Sequence, residues 1–211
     1  MTLIIAIVGG SASGKTTLAR ALARLLGGRC AVIAEDDYYR DTGPGADPAA
    51  INFDAPDAKE ASLLAAHLKA ARAGASFEKP RYDLRTHRRG AETETIAPVD
   101  ALIVEGLHLL AHPALEGAFD FAVYIEAEES LRLGRRLIRD VEERARAPRA
   151  VLDQFFAHVR PMHKLHVDPQ RARADLIVDA RFEDDSSVAA AHADAILAAL
   201  RRKRGHGSDT P

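Results

Sequence analysis

Hydrophobic positions along this chain fall into short apolar runs separated by longer amphipathic stretches, the pattern of strands alternating with helices. Leu3–Val8 is an unbroken apolar run ending on Gly9-Gly10, which predicts a buried strand. A helix is expected from Lys15 to Leu26, stopped by Gly27-Gly28, and Ala31–Ala34 predicts a second strand. Residues 43–56 read as a loop rich in Gly, Pro and Asp. Asp57 followed three residues later by Glu60 has capping-box spacing, so a helix is expected from that point. It would carry Leu63, Leu64 and Leu68 on one face and end at Gly74. Residues 76–98 hold two extended stretches around the charged segment Arg85–Arg89, which predicts a β-hairpin leaving the main sheet.

Further on, Ala101–Val104 and Phe121–Ile125 suit central parallel strands. Glu129 to Arg144 predicts a long arginine-rich helix, and Pro148 can start another. Leu176–Val178 predicts a last strand, and Ser186 a cap for an alanine-rich helix carrying Val188, Ile196 and Leu200. Residues 202–211 are polar and expected to form a flexible tail. The order of elements predicts one α/β domain over residues 1–200, a three-layer doubly wound parallel sheet. No internal repeat or long linker divides it.

Composition narrows the class. With 47% hydrophobic and 28% charged residues among 211, the chain reads as soluble and globular. A formal charge of -2 supplies no global field for nucleic acid or an anionic membrane, so neither is expected as a partner. The single cysteine, Cys30, rules out an internal disulfide and fits a reducing cytoplasm, where it is expected as an inert strand residue. Leu3–Val8 is too short for a signal peptide or a membrane span.

The residues between the first strand and first helix carry the clearest chemistry. Gly9, Gly10, Ser11, Ala12, Ser13, Gly14, Lys15 and Thr16 match G-x-x-x-x-G-K-[ST] at every fixed position, in the strand-to-helix context the motif requires. The glycines let several backbone N–H groups point at one anion, and the helix adds its positive end. Lys15 is expected to reach the β- and γ-phosphates of a nucleotide, and the Thr16 hydroxyl to ligate Mg²⁺. The guanine-reading N-K-x-D of a GTPase and the L-S-G-G-Q signature of a transporter ATPase are both absent from the sequence. That leaves a small P-loop kinase, which needs an acceptor site and a carboxylate near the attacking hydroxyl. Asp36 and Asp37 follow the second strand and Glu105 follows Ala101–Val104, at the sheet rim where ligands bind. Asp36 and Glu105 are the expected functional pair, with Glu105 placed to order Mg²⁺ or its water shell; Asp37 reads as a turn residue. Arg132, Arg136 and Arg139 share one helix face by spacing, while Asp140, Glu142 and Glu143 interrupt any continuous basic stripe.

With these residues in hand, the sequence resembles the uridine kinases of the uridine kinase and phosphoribulokinase group. The resemblance covers most of residues 4–180 through ordered motifs: Gly9–Thr17, Glu35–Arg40, Asn52–Ala58, Lys79–Arg88, Ile103–Leu107 and Leu131–Arg146, with a weaker match over Gln154–Pro161. It implies a P-loop kinase fold with a helical lid over residues 131–149, and ATP-dependent phosphorylation of the 5′-hydroxyl of uridine or cytidine with Mg²⁺, in pyrimidine salvage. It implies Asp36 as the base, also touching the Mg²⁺ shell and aided by Lys15 and Arg139, and Asp54 as the carboxylate that grips the ribose 2′- and 3′-hydroxyls. Tyr82 and His87 match residues that read the pyrimidine edge, and Phe53 would offer the base an apolar wall. Arg136, Arg139 and Gln154 would meet the substrate. Gly9–Thr17, including Thr17 itself, with Arg144 and Arg146 would hold the ATP or GTP donor. Arg132, Arg135 and Arg149 are expected at the surface. A cytoplasmic homo-oligomer, commonly a tetramer, is also implied.

The sequence departs from the family pattern at Leu84 and Lys59, where aromatic residues are usual, at Ala145, where Gly is usual, and over Leu107–Leu110. These departures bear on the acceptor rather than on the phosphate chemistry. A related kinase acting on a sugar phosphate or a pantothenate-like metabolite is the second reading, with Arg85, Arg88 or Arg89 as its extra anion site. A non-catalytic nucleotide-binding regulator is the third.

Overall fold

A computed structural model describes residues 1–43, 45, 51–180 and 185–206. The chain runs β1 (Leu3–Gly9), α1 (Lys15–Leu26), β2 (Cys30–Ala34), α2 (Ala61–Arg72), β3 (Phe77–Asp83), β4 (Arg88–Ile96), β5 (Ala101–Gly106), β6 (Phe121–Glu126), α3 (Glu129–Glu142), α4 (Pro148–Gln154), α5 (Arg160–Met162), β7 (Leu176–Asp179) and α6 (Asp185–His206). The main sheet has five strands in the order β2-β5-β1-β6-β7, paired in parallel throughout. β3 and β4 form a separate antiparallel hairpin with a register shift between Pro80 and Tyr82.

The apolar run of β1 is continuous because both faces of the central strand are covered. Ile4, Ala6 and Val8 pack toward Leu64 and Leu68 of α2, while Ile5 and Ile7 pack toward Leu18 and Leu22 of α1. The second face is completed by Ala189, Ala193, Ile196 and Leu200 of α6, at helical spacing. The predicted Val188 lies beside this stripe and is half-buried. The sheet is thus the middle of three layers. Its carboxyl edge gathers the turn after β1, the 3₁₀ turn Glu35–Tyr38 after β2 and the end of β5, the place where open α/β sheets bind ligands. Cys30 sits half-buried at the start of β2, where burial raises its thiol pKa and keeps it inert.

Three local expectations need correction. The helix expected from Asp57 begins at Ala61: Pro56–Ala58 forms a 3₁₀ turn, and Lys59 is extended, paired with Tyr39 in an antiparallel bridge. Tertiary pairing overrides the local capping-box signal, and the Glu60 at the N-cap makes no side-chain cap bond. Asp37 is more than a turn residue, since its carboxylate pairs with Lys79 and ties the hairpin to the Glu35–Tyr38 turn. The final helix continues to His206, well past Arg202, because the Lys203 ammonium donates to Asp120 O at 3.0 Å and Asp175 Oδ1 at 2.7 Å. Ser186 offers no test of its capping role, as its side chain lies outside the described residues, as do residues 207–211 and most of 44–50. No described helix is long and apolar enough to cross a membrane.

Candidate active site

The turn after β1 folds tightly around its glycines. A Cβ at Gly9 would meet Ile125 O at 2.9 Å, a backbone atom that cannot swing aside. Gly14 takes φ 96 just before α1, and Ala12 is also left-handed at φ 61. Lys15 Nζ donates to Gly10 O at 2.8 Å, and burial pushes its ammonium below the ordinary lysine range. The Thr16 hydroxyl, in the first turn of α1, donates to Glu105 Oε1 at the end of β5 at 2.6 Å. Burial raises the Glu105 carboxyl above its usual value, with Lys15 opposing the shift.

A cavity of about 650 Å³ opens above this turn. Ser11, Ala12, Gly14, Lys15, Thr16 and Thr17 line one end; Phe53, Asp54, Tyr82 and His87 line the other. Asp36, Glu105, Arg136, Arg139, Arg144, Arg146 and Gln154 also reach it. Of the site residues named from the sequence, only Gly9, Gly10 and Ser13 stay behind its wall. The structure therefore brings seven separate sequence segments to one space.

Asp36 occupies a central position in charge terms. Its carboxylate influences Lys15 and Glu105 at the phosphate end and Asp54 and Tyr82 at the other. Burial alone would raise the Asp36 pKa, but the Lys59 ammonium 2.9 Å from Oδ1, with Lys15 and Arg144 adding to it, outweighs burial and holds it down at about 2. Lys59 also meets Glu35 Oε2 at 2.8 Å, and Glu35 Oε2 accepts from the backbone N–H groups of Leu107 at 2.7 Å and His108 at 3.1 Å. Both Lys59 and Glu35 are buried. Sequence reasoning treated Lys59 only as a departure from a family pattern.

At the far end Asp54 is buried, and desolvation raises its carboxyl while Arg136 pulls it back. The Phe53 ring is stacked on His87 at 4.5 Å and meets the edge of Tyr39 at 5.6 Å, so one of its faces is already covered. Tyr39 was not singled out from the sequence, yet it lines the cavity, packs on Tyr82 at 5.0 Å and donates its hydroxyl to Phe53 O at 3.0 Å. The Tyr82 hydroxyl and His87 Nδ1 are buried with no hydrogen-bond partner among the described residues. His87 adopts a left-handed φ of 54, a strained setting that persists where surrounding structure fixes it.

The roof is α3 and the turn after it. Arg136 donates to Ser11 Oγ and to Gln154 Oε1, both at 2.8 Å, and Arg146 donates to Gln154 Oε1 at 2.7 Å. Arg136, Arg139, Arg144 and Arg146 all face the Asp140 carboxylate. Two arginines expected at the surface are not there. Arg132 is buried behind the phosphate loop, where a Cβ on Gly10 would strike its Cδ at 2.8 Å. Arg135 is half-buried over Gly14 and lines the cavity. Arg149 is exposed, as expected, and pairs with Asp153. On the other side of α3 lies a second cavity of about 890 Å³, walled by Leu131, Gly134, Ile138 and Ala180.

The chain carrying this arrangement is similar to known proteins in sequence and in fold. Residues 4–187 match the Phosphoribulokinase / Uridine kinase family. The chain belongs to that family. It is 42% identical over 178 residues to a uridine kinase of Chloroflexus aurantiacus, covering 83% of this chain and 85% of that one. A uridine kinase of Ligilactobacillus salivarius is 35% identical over 189 residues, covering 88% and 89%. Among solved structures, phosphoribulokinase from Rhodobacter spheroides superposes with TM-score 0.63 at 16% identity, covering 88% of this chain and 74% of that one. The structural likeness establishes a P-loop kinase fold.

Proposed function

We propose that the protein transfers the γ-phosphoryl group of ATP to the 5′-hydroxyl of uridine or cytidine, as a cytoplasmic enzyme of pyrimidine salvage. The observation that carries the reading is the placement of Asp36 in one cavity with Lys15 and Thr16 at one end and Asp54, Tyr82 and His87 at the other. The ATP triphosphate lies along residues 9–17, with Arg144 and Arg146 closing on the nucleotide. Asp54 accepts from the ribose cis-diol, and the orphan Tyr82 hydroxyl and His87 Nδ1 meet the pyrimidine edge. A neutral imidazole pairs with either a carbonyl or an amino group, and burial with Arg146 and Arg144 nearby lowers the His87 pKa and favours that form. Asp36 orients the 5′-hydroxyl and receives its proton. Arg136 and Arg139 face the negative charge that builds up between donor and acceptor.

The Thr16 hydroxyl and Glu105 carboxylate, 2.6 Å apart, and Asp36 beside them form a hard-oxygen set that suits Mg²⁺. Bound there with the triphosphate, Mg²⁺ would offset the charge of the β- and γ-phosphates. The sugar-phosphate reading is the weaker one. It relies on Arg85, Arg88 or Arg89, but Arg89 is engaged by Glu60 Oε2 at 2.7 Å and Tyr39 O, and none of the three arginines lines the cavity.

Coupled ADP release with uridine, cytidine, 2′,3′-dideoxyuridine, ribulose 5-phosphate and pantothenate tests this. Uridine and cytidine are expected to give turnover. The dideoxy substrate should lose about 10²-fold or more in kcat/KM, because Asp54 would then lack its hydroxyl partners. Turnover with a sugar phosphate or pantothenate and none with nucleosides would overturn the proposal. Silence with every acceptor would favour the nucleotide-binding regulator.

A further inference from the structure

Lys59 is the unexpected feature of the acceptor side. Its side chain is 2% exposed, and its ammonium has three donors to place. One goes to Glu35 Oε2 at 2.8 Å and one to Asp36 Oδ1 at 2.9 Å; the Tyr39 ring lies 4.8 Å away on a third side. The backbone leaves Lys59 little choice. It is extended at φ -114 and ψ 151, bridged to Tyr39, with Arg40 N donating to Ala58 O at 2.9 Å and Glu60 N to Tyr38 O at 2.8 Å. Glu35 is equally fixed. Its carboxylate takes two backbone N–H groups of the turn after β5, and it approaches Gly106 so closely that a Cβ there would sit 2.5 Å from Glu35 Cβ and Oε2.

A buried Lys–Glu pair on its own adds little stability compared with apolar residues of the same size. Here the pair carries a third charge, and that charge is the one facing the cavity. Asp36 has 42% of its side chain exposed, whereas Glu35 and Lys59 lie behind it. We propose that Lys59 is a positioning residue for phosphoryl transfer: it holds Asp36 through Oδ1, reserves Oδ2 for the acceptor hydroxyl, and is itself held by Glu35. The chain of contacts runs from the turn after β5, next to Glu105, through Glu35 and Lys59 to Asp36. The metal-side carboxylate and the proton-accepting carboxylate are thereby set from one piece of backbone. A group held in this way acts on reaction geometry, so its loss reduces turnover more than binding.

This inference rests on Asp36 acting as the base, and a double-variant cycle separates the two ideas. The set is wild type, Asp36→Asn, Lys59→Met and Asp36→Asn/Lys59→Met, each measured for kcat, for KM of uridine and ATP, and for cooperative thermal unfolding. Lys59→Met is expected to reduce kcat about 10²-fold with both KM values within about threefold of wild type. In the Asp36→Asn background, Lys59→Met should reduce kcat no further, because the group it positions is already gone. Where Lys59→Met lacks a cooperative transition, Glu35→Gln/Lys59→Met removes both buried charges together and enters the same cycle. Near wild-type kcat for these variants, or equal losses in both backgrounds, would overturn the role of Lys59. Near wild-type turnover of Asp36→Asn would instead remove Asp36 as the base, a distinguishable result.

Discussion

Asp140 Oδ1 accepts from Arg139 Nη2 at 2.8 Å, and the Asp140 side chain has no exposed surface at all. The same carboxylate faces Arg144 at 3.4 Å, Arg146 at 3.3 Å and Arg136 at 3.6 Å. Burial works to raise its pKa, yet Arg136 and Arg139 prevail and keep it ionised. One anion therefore organises the whole roof of the active site. Asp140→Asn keeps the shape and removes the charge, leaving four guanidinium groups facing one another. Breaking a fully buried pair costs about 3–5 kcal/mol; with Arg139, Arg144 and Arg146 partly exposed, about 2 kcal/mol is expected. Urea unfolding should show that loss, and the KM for ATP should rise as the roof loosens. An unchanged midpoint together with an unchanged KM would reject Asp140 as the organising group.

His108 sets a pH dependence. Its ring is 1% exposed, both nitrogens lack hydrogen-bond partners among the described residues, and desolvation pushes its pKa down to about 4. The unfolded chain binds a proton near the ordinary value of 6.5, so between 6.5 and 4 the unfolded state holds more protons than the folded one. Stability from this group is complete above about pH 6.5 and falls as the pH drops toward 4. At pH 5 the loss is about 2 kcal/mol. His108→Leu removes the titration at similar volume, so the variant should outlast wild type at pH 5 by about that amount, with a smaller difference at pH 7. Burial lowers the His163 pKa as well, so the variant retains some acid sensitivity. Equal pH slopes in urea melts of the two proteins would count against this assignment.

What could be read from the sequence, and what could not, follows the range of the interactions. The strands of the main sheet show as apolar runs because burial on both faces leaves no other pattern, and α1 shows by the glycines at both ends. The phosphate loop is legible in full because its chemistry is confined to consecutive residues. Lys59 and Asp140 were opaque for the opposite reason. Lys59 meets Glu35 from 24 positions away, and in sequence a lone charge beside Glu60 looks solvated. Asp140 and Arg132 sit in a helix crowded with charges, where nothing local separates an inward guanidinium from an exposed one. The start of α2 and the end of α6 were misplaced because the Tyr39 bridge and the Lys203 contacts join distant segments.

Gly106 is needed for its lack of a side chain rather than for its backbone freedom. A Cβ there would sit 2.5 Å from both Glu35 Cβ and Glu35 Oε2. Gly106→Ala must therefore displace a carboxylate that holds Lys59 and two backbone N–H groups. Overpacking of this kind costs about 1–3 kcal/mol. The variant should unfold at lower urea and lose turnover, while ATP-analogue binding at residues 9–17 changes little. A fully stable, fully active Gly106→Ala would show that Glu35 can move without consequence.

Ala145 offers the converse test, a position where glycine is better than the residue present. It lies in the turn after α3 at φ 53, held there as Arg146 N donates to Asp140 O at 3.0 Å. A left-handed backbone costs a residue with a Cβ roughly 1–2 kcal/mol. Glycine removes that strain but gives the unfolded chain more freedom, which offsets about 0.4–1 kcal/mol. Ala145→Gly is thus expected to stabilise the protein by about 0.5–1 kcal/mol, and Ala145→Val, with its branched Cβ, to destabilise it. The Arg144 and Arg146 contacts to Asp140 lie on either side of the turn and depend on its shape, so Ala145→Gly should leave the KM for ATP near its wild-type value. Thermal melts decide the matter: a lower midpoint for Ala145→Gly than for wild type would mean that the strain at Ala145 does not govern this turn.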